Sequence, residues 1–213
     1  MNVLVIGANG HTGRLVLKEL KNSSQHFAKA MIRKSEQTKD MEELGARPVV
    51  ADLEQDFSYA LENVNAVIFA AGSGSKTGED KTIAIDQEGA KKAVDYAKEK
   101  GIERFIMLSS MGADQPENAP EGMEVYLKAK NEADKHLQES GLNYTIVRPG
   151  ALTFDDAKGQ IIAQPSIEDK SGDIPREDVA KVLVESLTTT ETNHKVFEIL
   201  SGEDSIDEAL KGI

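Results

Sequence analysis

The sequence contains no cysteine. Disulfide bonds, thiolate nucleophiles and thiolate metal sites are therefore excluded together. It also contains no apolar run near the roughly 18 residues of a membrane-spanning helix, so no membrane partner is expected. The first strand is predicted to begin at Asn2, which leaves no room for a signal peptide before it. These absences are compatible with a cytoplasmic protein, and we expect that location.

Basic residues are few compared with acidic ones. The 213 residues include 25 Lys and Arg against 37 Asp and Glu, a formal net charge of -12 at pH 7. A nucleic-acid-binding surface would need a strong basic patch to offset this charge, so no nucleic-acid partner is expected. The acidity is interpreted as a contribution to solubility.

Histidine is also scarce. Its four positions, His11, His26, His136 and His194, have no ligand-like spacing, so no metal site is predicted. His11 lies in a glycine-rich loop and is expected to contact a cofactor or solvent. The expected partner is a small-molecule substrate, and the chain is expected to be a monomer or a small homo-oligomer.

Strand-like and helix-like segments alternate along the first 150 residues. The predicted strands are 2–6, 27–33, 47–51, 66–71, 104–109 and 144–148, and the predicted helices are 12–23, 35–44, 81–100 and 124–140. Continuous apolar runs are typical of buried parallel strands. Repeated βα units predict an α/β fold with a doubly wound parallel sheet and helices on both faces.

The pattern changes after Arg148. A short strand over 159–163, a polar loop over 166–172, a helix from near Pro175 to Leu187, a strand over 195–200 and a helix over 206–210 are predicted. The chain has neither a linker nor a repeat. We therefore expect one domain over residues 1–213, with residues 151–213 forming a small cap on the substrate side.

The loop GANGHTG joins the first strand to the first helix. Gly7 and Gly10 leave space for a phosphate to approach the backbone, and Gly13 allows the helix to pack close to the strand. The first amides of the helix lack internal partners and favour an anion. In this context the triplet predicts a dinucleotide site, although a plain tight turn is the alternative. The assigned cofactor contacts in the loop are Gly7, Asn9, Gly10, His11, Thr12, Gly13 and Arg14.

The end of the second strand indicates which dinucleotide binds. NAD enzymes usually place Asp or Glu there to hold the ribose 2′-hydroxyl. This chain has Arg33 and Lys34, which donate hydrogen bonds and suit a 2′-phosphate, and Arg14 could add charge. NADP(H) is therefore favoured over NAD(H). The alternative is that both residues are solvated at the strand end.

Several segments resemble the short-chain dehydrogenase/reductase superfamily. They are GANGHTG, VIFAAGSG, IDQEGAKKAVDYAKEKGIERFIMLSSMGA, YLKAKNEADKHLQESGLNYTIVRPGAL and REDVAKVL. The likeness is greatest to the atypical NAD(P)H-binding branch, with its flavin-reductase/biliverdin-reductase-B-like, quinone-reductase-like and NmrA-like members. It covers most of the chain, in order and with suitable spacings.

The resemblance implies further cofactor contacts at the ends of strands. These are the adenine-side pair Asp52 and Leu53, the turn residues Ala70, Ala71 and Gly72, Ser109 at the end of the fifth strand, and the nicotinamide-side residues Pro149, Gly150 and Leu152. The carboxyl edge of an open α/β sheet is where such ligands bind. Two alternatives stay open: Asp52 could cap the next segment, and Ser73–Ser75 could be an ordinary loop.

The resemblance also implies an acid/base pair of Tyr and Lys four residues apart. Tyr126 and Lys130 satisfy it on one helix face. A nearby ammonium favours the phenolate, so that Tyr126 can exchange the proton that accompanies hydride transfer. Lys130 could also hold the nicotinamide ribose, and Ser110 could orient the substrate oxygen.

Tyr96 and Lys100 have the same spacing as the predicted pair. They lie near the end of their helix, away from the ligand edge, and are expected to be structural. The motif alone is therefore weak evidence, and members of the atypical branch often lose or reassign these catalytic residues.

The predicted function is hydride transfer between NADP(H) and a small carbonyl, quinone or flavin-like acceptor, with the chemistry supplied by the nicotinamide. Two alternatives stay open. One is an NmrA-like regulator that senses the cofactor without turnover. The other is an NAD-dependent epimerase or dehydratase, for whose usual substrate lobe the chain is expected to be too short.

Overall fold

The computed structural model describes residues 1–74 and 77–213. The strands are β1 (Asn2–Ile6), β2 (Phe27–Ile32), β3 (Arg47–Val50), β4 (Ala66–Phe69), β5 (Arg104–Leu108), β6 (Tyr144–Pro149), β7 (Ala151–Thr153), β8 (Gln160–Gln164), β9 (Asp173–Pro175), β10 (Lys195–Ser201) and β11 (Asp204–Ser205). The α-helices are α1 (His11–Asn22), α2 (Thr38–Glu43), α3 (Glu79–Lys81), α4 (Ala90–Glu99), α5 (Glu124–Glu139), α6 (Arg176–Glu185) and α7 (Ile206–Lys211). Short 3₁₀ turns cover Ser35–Gln37, Ser58–Leu61, Pro116–Asn118 and Thr190–Thr192.

The main sheet has the order β11-β8-β10-β6-β5-β4-β1-β2-β3. Neighbours from β3 to β10 pair in parallel, and β8 pairs antiparallel with both β10 and β11. The segment β3-β2-β1-β4-β5-β6 has the strand order of a dinucleotide-binding Rossmann fold. The predicted doubly wound parallel sheet is confirmed.

Side chains of each central strand alternate between two hydrophobic layers. In β1, Val3 and Val5 face one layer, and Leu4 and Ile6 face the other. The first layer receives α1, α2, α6 and α7, whereas the second receives α4 and α5. Both faces of the strands are thus apolar and buried, which explains the continuous apolar runs in the sequence.

The strand order reverses between β1 and β4. From β1 the chain crosses through α1 to β2 on one side, and from β4 it crosses through α4 to β5 on the other. The two connections leave a crevice at the carboxyl ends of β1 and β4, where ligands of this architecture bind. The glycine loop and the turn after β4 both lie at this crevice.

The predicted helix 81–100 contains an irregularity that the sequence pattern did not predict. After α3, residues Thr82–Gly89 form a π-helical segment that continues into α4. Such widened turns are frequent at functional sites. Asp86 of this segment lies in the interior, with only 1% of its surface exposed to solvent.

The C-terminal residues mostly extend the main sheet. The strands β8, β10 and β11 join it, and α6 and α7 pack on its first layer. A separate two-stranded parallel sheet, β7 with β9, lies outside the main one. No helix in residues 1–74 and 77–213 combines the length and apolarity that crossing a membrane requires.

Candidate cofactor and active site

Two glycines of the loop are required by close backbone contacts. Gly7 has φ +86°, and a Cβ there would lie 2.5 Å from the backbone nitrogen of Ala71. A Cβ at Gly13 would lie 2.1 Å from the carbonyl oxygen of Gly7. Gly13 therefore sets how closely α1 approaches the loop, which agrees with its predicted packing role. Gly10 has an ordinary φ of -72°, and a Cβ there would meet only the Gly7 oxygen, at 3.2 Å.

The amino end of α1 offers free backbone donors at the crevice. Gly10 is the N-cap, and no side chain caps this end of the helix among the described residues. The amides of His11, Thr12 and Gly13 precede the first helical hydrogen bond, which Arg14 donates to the Gly10 carbonyl at 2.9 Å. Unpaired amides at a helix amino end suit a pyrophosphate, so this part of the chain fits a dinucleotide.

A cavity of about 330 Å³ adjoins the loop on the side of β2 and β3. It contains eight of the predicted cofactor residues: Gly7, Asn9, Gly10, Arg33, Leu53, Ala70, Ala71 and Gly72. The wall also includes eight residues that were not predicted to line the site, Ile6, Met31, Ile32, Gln37, Ala51, Thr77, Lys81 and Ile85, together with Ser73. Of the Ser73–Ser75 segment weighed as an ordinary loop, Ser75 lies outside the described residues.

Three basic residues near this cavity have different surroundings. Arg33 is exposed and lines the cavity, and its side chain pairs with none of the described residues. Arg14 instead donates to Asn9 Oδ1 and to Asp40 Oδ2, each at 2.6 Å from Nη2. Lys34 is exposed at the start of the 3₁₀ turn and is not part of the cavity wall. Arg33 is therefore the best placed of the three to meet an anion in the cavity.

The adenine-side pair divides between two roles. Leu53 lines the cavity and is 7% exposed. Asp52 lies outside the cavity wall, and its Oδ1 accepts a hydrogen bond from the Glu54 amide at 2.9 Å. The capping alternative considered for Asp52 is thus what its side chain does in the structure.

Lys130 is held inside the protein by groups from three elements. Its Nζ lies 3.3 Å from Asp86 Oδ1, donates to the Leu108 carbonyl at 3.2 Å and lies 5.7 Å from the centre of the Tyr126 ring. Asp86 Oδ2 in turn accepts the Ser73 amide at 2.9 Å. Asp86 therefore links α5 to the turn after β4.

The charge on Lys130 is preserved despite burial. Burial lowers the pKa of Lys130, but electrostatic interaction with Tyr126, Asp86 and Asp134 outweighs that effect, so that its pKa lies above the ordinary value of 10.5. An ammonium that stays charged can stabilise a phenolate on Tyr126. Tyr126 is half-buried in the first turn of α5, one turn before Lys130.

Ser109 belongs to a second cluster of buried polar and charged side chains. The Ser109 Oγ donates to Asp134 Oδ2 at 2.8 Å, and the Arg148 Nε donates to the same oxygen at 3.0 Å. Burial raises the pKa of Asp134 above its ordinary value of 3.8, although Arg148 and Ser109 favour its carboxylate. The Ser109 hydroxyl is thus used internally, while Ser110 is half-buried and makes only a weak 3.4 Å contact with the Met111 carbonyl.

The two Tyr–Lys pairs of equal spacing are separated by their surroundings. Tyr96 packs against Phe57 with ring centres 5.0 Å apart, and Lys100 is an exposed helix cap. Lys130 instead lies at the end of β5, where its Nζ donates to the Leu108 carbonyl, and the Tyr126 ring centre lies 5.7 Å from that Nζ. The structural role expected for Tyr96 agrees with its packing.

The nicotinamide-side residues adjoin a tightly packed corner. A Cβ at Gly150 would lie 2.3 Å from Leu200 Cδ2 and 2.8 Å from the Gly172 carbonyl oxygen. Packing within the chain therefore explains this glycine without a ligand. Pro149 accepts the Met111 amide at 2.9 Å, and Leu152 lies in β7.

Asp86 was not predicted from the sequence to be a site residue, although its position in the helical pattern could have identified it. In a helical reading it shares a face with Ala90, Ala93 and Ala97, all of which are buried. A carboxylate on an apolar helix face indicates a buried partner.

Among the described residues, no group of three or more His, Asp or Glu has the arrangement of a metal site.

Comparison with known proteins supports the same kind of site. A family model described as NAD(P)H-binding matches residues 7–190. A Bacillus subtilis (strain 168) protein named "Uncharacterized sugar epimerase YhfK" is 42% identical over 214 residues, with 99% of each chain covered. The solved structure of a "Putative NAD-dependent epimerase/dehydratase" from Bacillus halodurans is 46% identical, with a TM-score of 0.97 and all of both chains covered. The oxidoreductase ylbE from Lactococcus lactis is 30% identical, with a TM-score of 0.88, covering 100% of this chain and 96% of that one.

Proposed function

The chain belongs to the NAD(P)H-binding family, and on that premise we propose that it is an NADP(H)-dependent oxidoreductase. It would transfer hydride between the nicotinamide and a small carbonyl, quinone or flavin-like acceptor. The observation that carries the proposal is the juxtaposition of the uncapped amides of α1 with a cavity that contains the exposed cation Arg33. The first suits a pyrophosphate, and the second suits a 2′-phosphate.

The residues present would hold the pyrophosphate and the adenosine half of the cofactor. The amides of His11, Thr12 and Gly13 would bind the pyrophosphate, and Leu53 would contact the adenosine in the cavity. Arg33 would pair with the 2′-phosphate, which NAD(H) lacks. A charge-assisted hydrogen bond contributes roughly 1.5–3 kcal/mol, which is enough to set a preference between the two cofactors.

Tyr126 and Lys130 supply the groups for proton transfer. When bound, the nicotinamide supplies or accepts the hydride. Tyr126 would donate the accompanying proton to the acceptor oxygen, and Lys130 would stabilise the phenolate left behind. Asp86 fixes the ammonium of Lys130 in place, because the two charged atoms lie 3.3 Å apart in the interior. Ser110 would orient the acceptor oxygen.

The substrate side is assigned to the segment that follows β6. The two-stranded β7–β9 sheet lies outside the main sheet and follows directly from the carboxyl end of β6. We assign the substrate-cap role to this small sheet and its flanking loops, while the remaining C-terminal elements complete the core. The substrate that this cap would cover is a small molecule.

The test is NADPH oxidation by the purified chain of residues 1–213 with quinones, flavins and aldehydes as acceptors. Oxidation above the blank with at least one acceptor supports the proposal. NADPH that binds in a calorimeter but is not oxidised with any acceptor would contradict it and favour a cofactor-sensing regulator instead. Absence of nicotinamide binding would contradict both.

An epimerase or dehydratase is the second candidate, and the names of two relatives favour it. Both the Bacillus subtilis and the Bacillus halodurans proteins carry such names. The same Tyr–Lys pair could exchange a sugar proton. An epimerase regenerates its cofactor, so nucleotide sugars would be interconverted without net nicotinamide consumption. Product analysis after incubation with nucleotide sugars separates this activity from net reduction.

A further inference from the structure

Phe154 is an exposed aromatic side chain that its neighbours hold in place. It is 74% exposed. The His11 ring lies 4.9 Å from it between centres, at an angle of 86°, and the Arg176 Cζ lies 4.1 Å from its centre. Two directional contacts orient the ring, although most of its surface is open to solvent.

The β7–β9 sheet explains why Phe154 and Arg176 lie together. The parallel register pairs Thr153 with Pro175, the last residues of the two strands, so the residues that follow them, Phe154 and Arg176, come out side by side. Arg176 Nη1 also donates to the Leu152 carbonyl at 2.9 Å and to the Thr153 carbonyl at 3.0 Å. The guanidinium is thus fixed to the strand that presents the ring.

The Phe154 ring lies close to the proposed cofactor site. His11 is the first residue of α1, next to the amides assigned to the pyrophosphate. Phe154 follows β7, which continues from the carboxyl end of β6. The ring is not part of the cavity assigned to the adenosine half. It therefore lies at the ligand edge of the sheet, outside the adenosine site.

We propose that Phe154 is a specificity-determining residue that presents its exposed ring to a planar aromatic acceptor. The proposal rests on the hydride-transfer function and deepens it by naming the acceptor class. Stacking of an aromatic ligand would bury apolar surface of Phe154 that is now in water.

Arg176 narrows the acceptor class further. A guanidinium has five N–H donors, of which Nη1 uses its own for the two carbonyls of β7. The remaining donors suit an oxygen on the acceptor, and quinones and flavins both carry carbonyl oxygens on a planar ring. The expected acceptor is thus a planar ring with carbonyl oxygens, in preference to an aliphatic aldehyde.

A binding experiment tests the proposal without requiring turnover. Riboflavin, whose fluorescence is quenched by stacking, is titrated with the full chain in saturating NADP⁺ for the wild type, Phe154→Ala and Phe154→Tyr. Loss of one stacking contact is expected to weaken riboflavin binding about tenfold in Phe154→Ala, while Phe154→Tyr keeps the ring and stays within about twofold of wild type. Calorimetric NADP⁺ affinity and melting temperature are expected to be the same in all three.

A kinetic experiment tests the same residue with two acceptors. With menadione, Phe154→Ala is expected to raise KM about tenfold, whereas KM for hexanal stays within about twofold of wild type. Riboflavin affinity that is undetectable in wild type or unchanged in Phe154→Ala would overturn the proposal. The proposal would also be overturned if Phe154→Ala lost NADP⁺ affinity by the same factor as riboflavin affinity, because the ring would then contact the cofactor. If no acceptor oxidises NADPH, the hydride-transfer function fails, and the riboflavin titration still decides the role of Phe154.

Discussion

Asp86 and Lys130 form an ion pair across two helical segments, with Oδ1 and Nζ 3.3 Å apart and side chains only 1% and 5% exposed. Removing one member of a buried pair leaves the other charge uncompensated, which costs about 3–5 kcal/mol. We therefore expect Asp86→Asn to lower the free energy of unfolding by about 3 kcal/mol in urea denaturation.

The matched control for this variant is Glu132→Gln. Glu132 pairs with Lys91 at 3.1 Å between α5 and α4, the helix that directly follows the segment carrying Asp86, but the two side chains are 39% and 24% exposed. Partly exposed pairs contribute about 0–1 kcal/mol. Equal destabilisation by both substitutions would show that burial of the Asp86–Lys130 pair is not the source of its stability.

The stability difference between wild type and Asp86→Asn is expected to depend on pH. The pKa of Lys130 in the folded wild type lies above 10.5, so its stabilising contribution is fully present below that pH and is lost as pH rises through the folded pKa. Without Asp86, one of the groups that raise the pKa of Lys130 is lost, so the folded pKa falls and the charged lysine stabilises the fold less. Urea titrations from pH 7 to 11 should therefore show the two proteins converging at high pH, whereas a constant difference would contradict this linkage.

Arg33→Ala is expected to weaken NADPH binding selectively. Loss of a charge-assisted contact of roughly 1.5–3 kcal/mol corresponds to a decrease in affinity of about tenfold or more. NADH affinity should change little, because NADH has no 2′-phosphate. Arg47→Ala is the control, since Arg47 is an exposed cation at the opposite end of the neighbouring strand β3. Calorimetry that finds equal losses for NADPH and NADH would refute the NADP assignment.

Glycine substitutions in the loop should separate folding from binding. In Gly13→Ala, the new Cβ would lie 2.1 Å from a backbone oxygen, so the helix must move. Overpacking of this kind costs about 1–3 kcal/mol, measurable as a lower melting temperature. Gly10→Ala meets its nearest backbone atom at 3.2 Å with an ordinary φ, so the melting temperature should change less while nicotinamide binding is weakened. The reverse ranking of melting temperatures would contradict this account of the loop.

Tyr126→Phe tests proton transfer, and the chain contains its own control. A positioned acid or base contributes about 10²–10⁴-fold to the rate, so kcat should fall by at least about a hundredfold with NADPH affinity retained. Tyr96→Phe removes a hydroxyl from the other Tyr–Lys pair, whose ring packs on Phe57, and should leave kcat unchanged. Undiminished turnover in Tyr126→Phe would remove this tyrosine from the mechanism.

The local patterns were sufficient to predict the fold and the position of the glycine loop. Buried strands such as β1 are apolar on both faces, and the close approach of α1 requires a glycine at position 13. Both features can therefore be recognised directly in the sequence.

The side-chain pairings could not be predicted in the same way. The apolar spacing could place Asp86 on a buried helix face, but it could not identify Lys130 as its partner, because that contact depends on how Thr82–Gly89 packs against α5. The contact of Phe154 with Arg176 depends on the register of β7 with β9, two three-residue strands too short to give a periodic signal. Gly150 resembles a cofactor contact in sequence, yet Leu200 and Gly172 explain it.

The widened turn of Thr82–Gly89 also bears on how the gene can vary in length. A π-helical turn accommodates one residue more than an α-helical turn. Deleting Gln87 would therefore let the backbone return to a regular helix while the residues on either side keep nearly the same faces, whereas deleting a residue from the regular helix α4 would rotate the residues before it by about 100°. A homologue with one codon fewer in this segment would keep its helix and would still direct a carboxylate at its lysine.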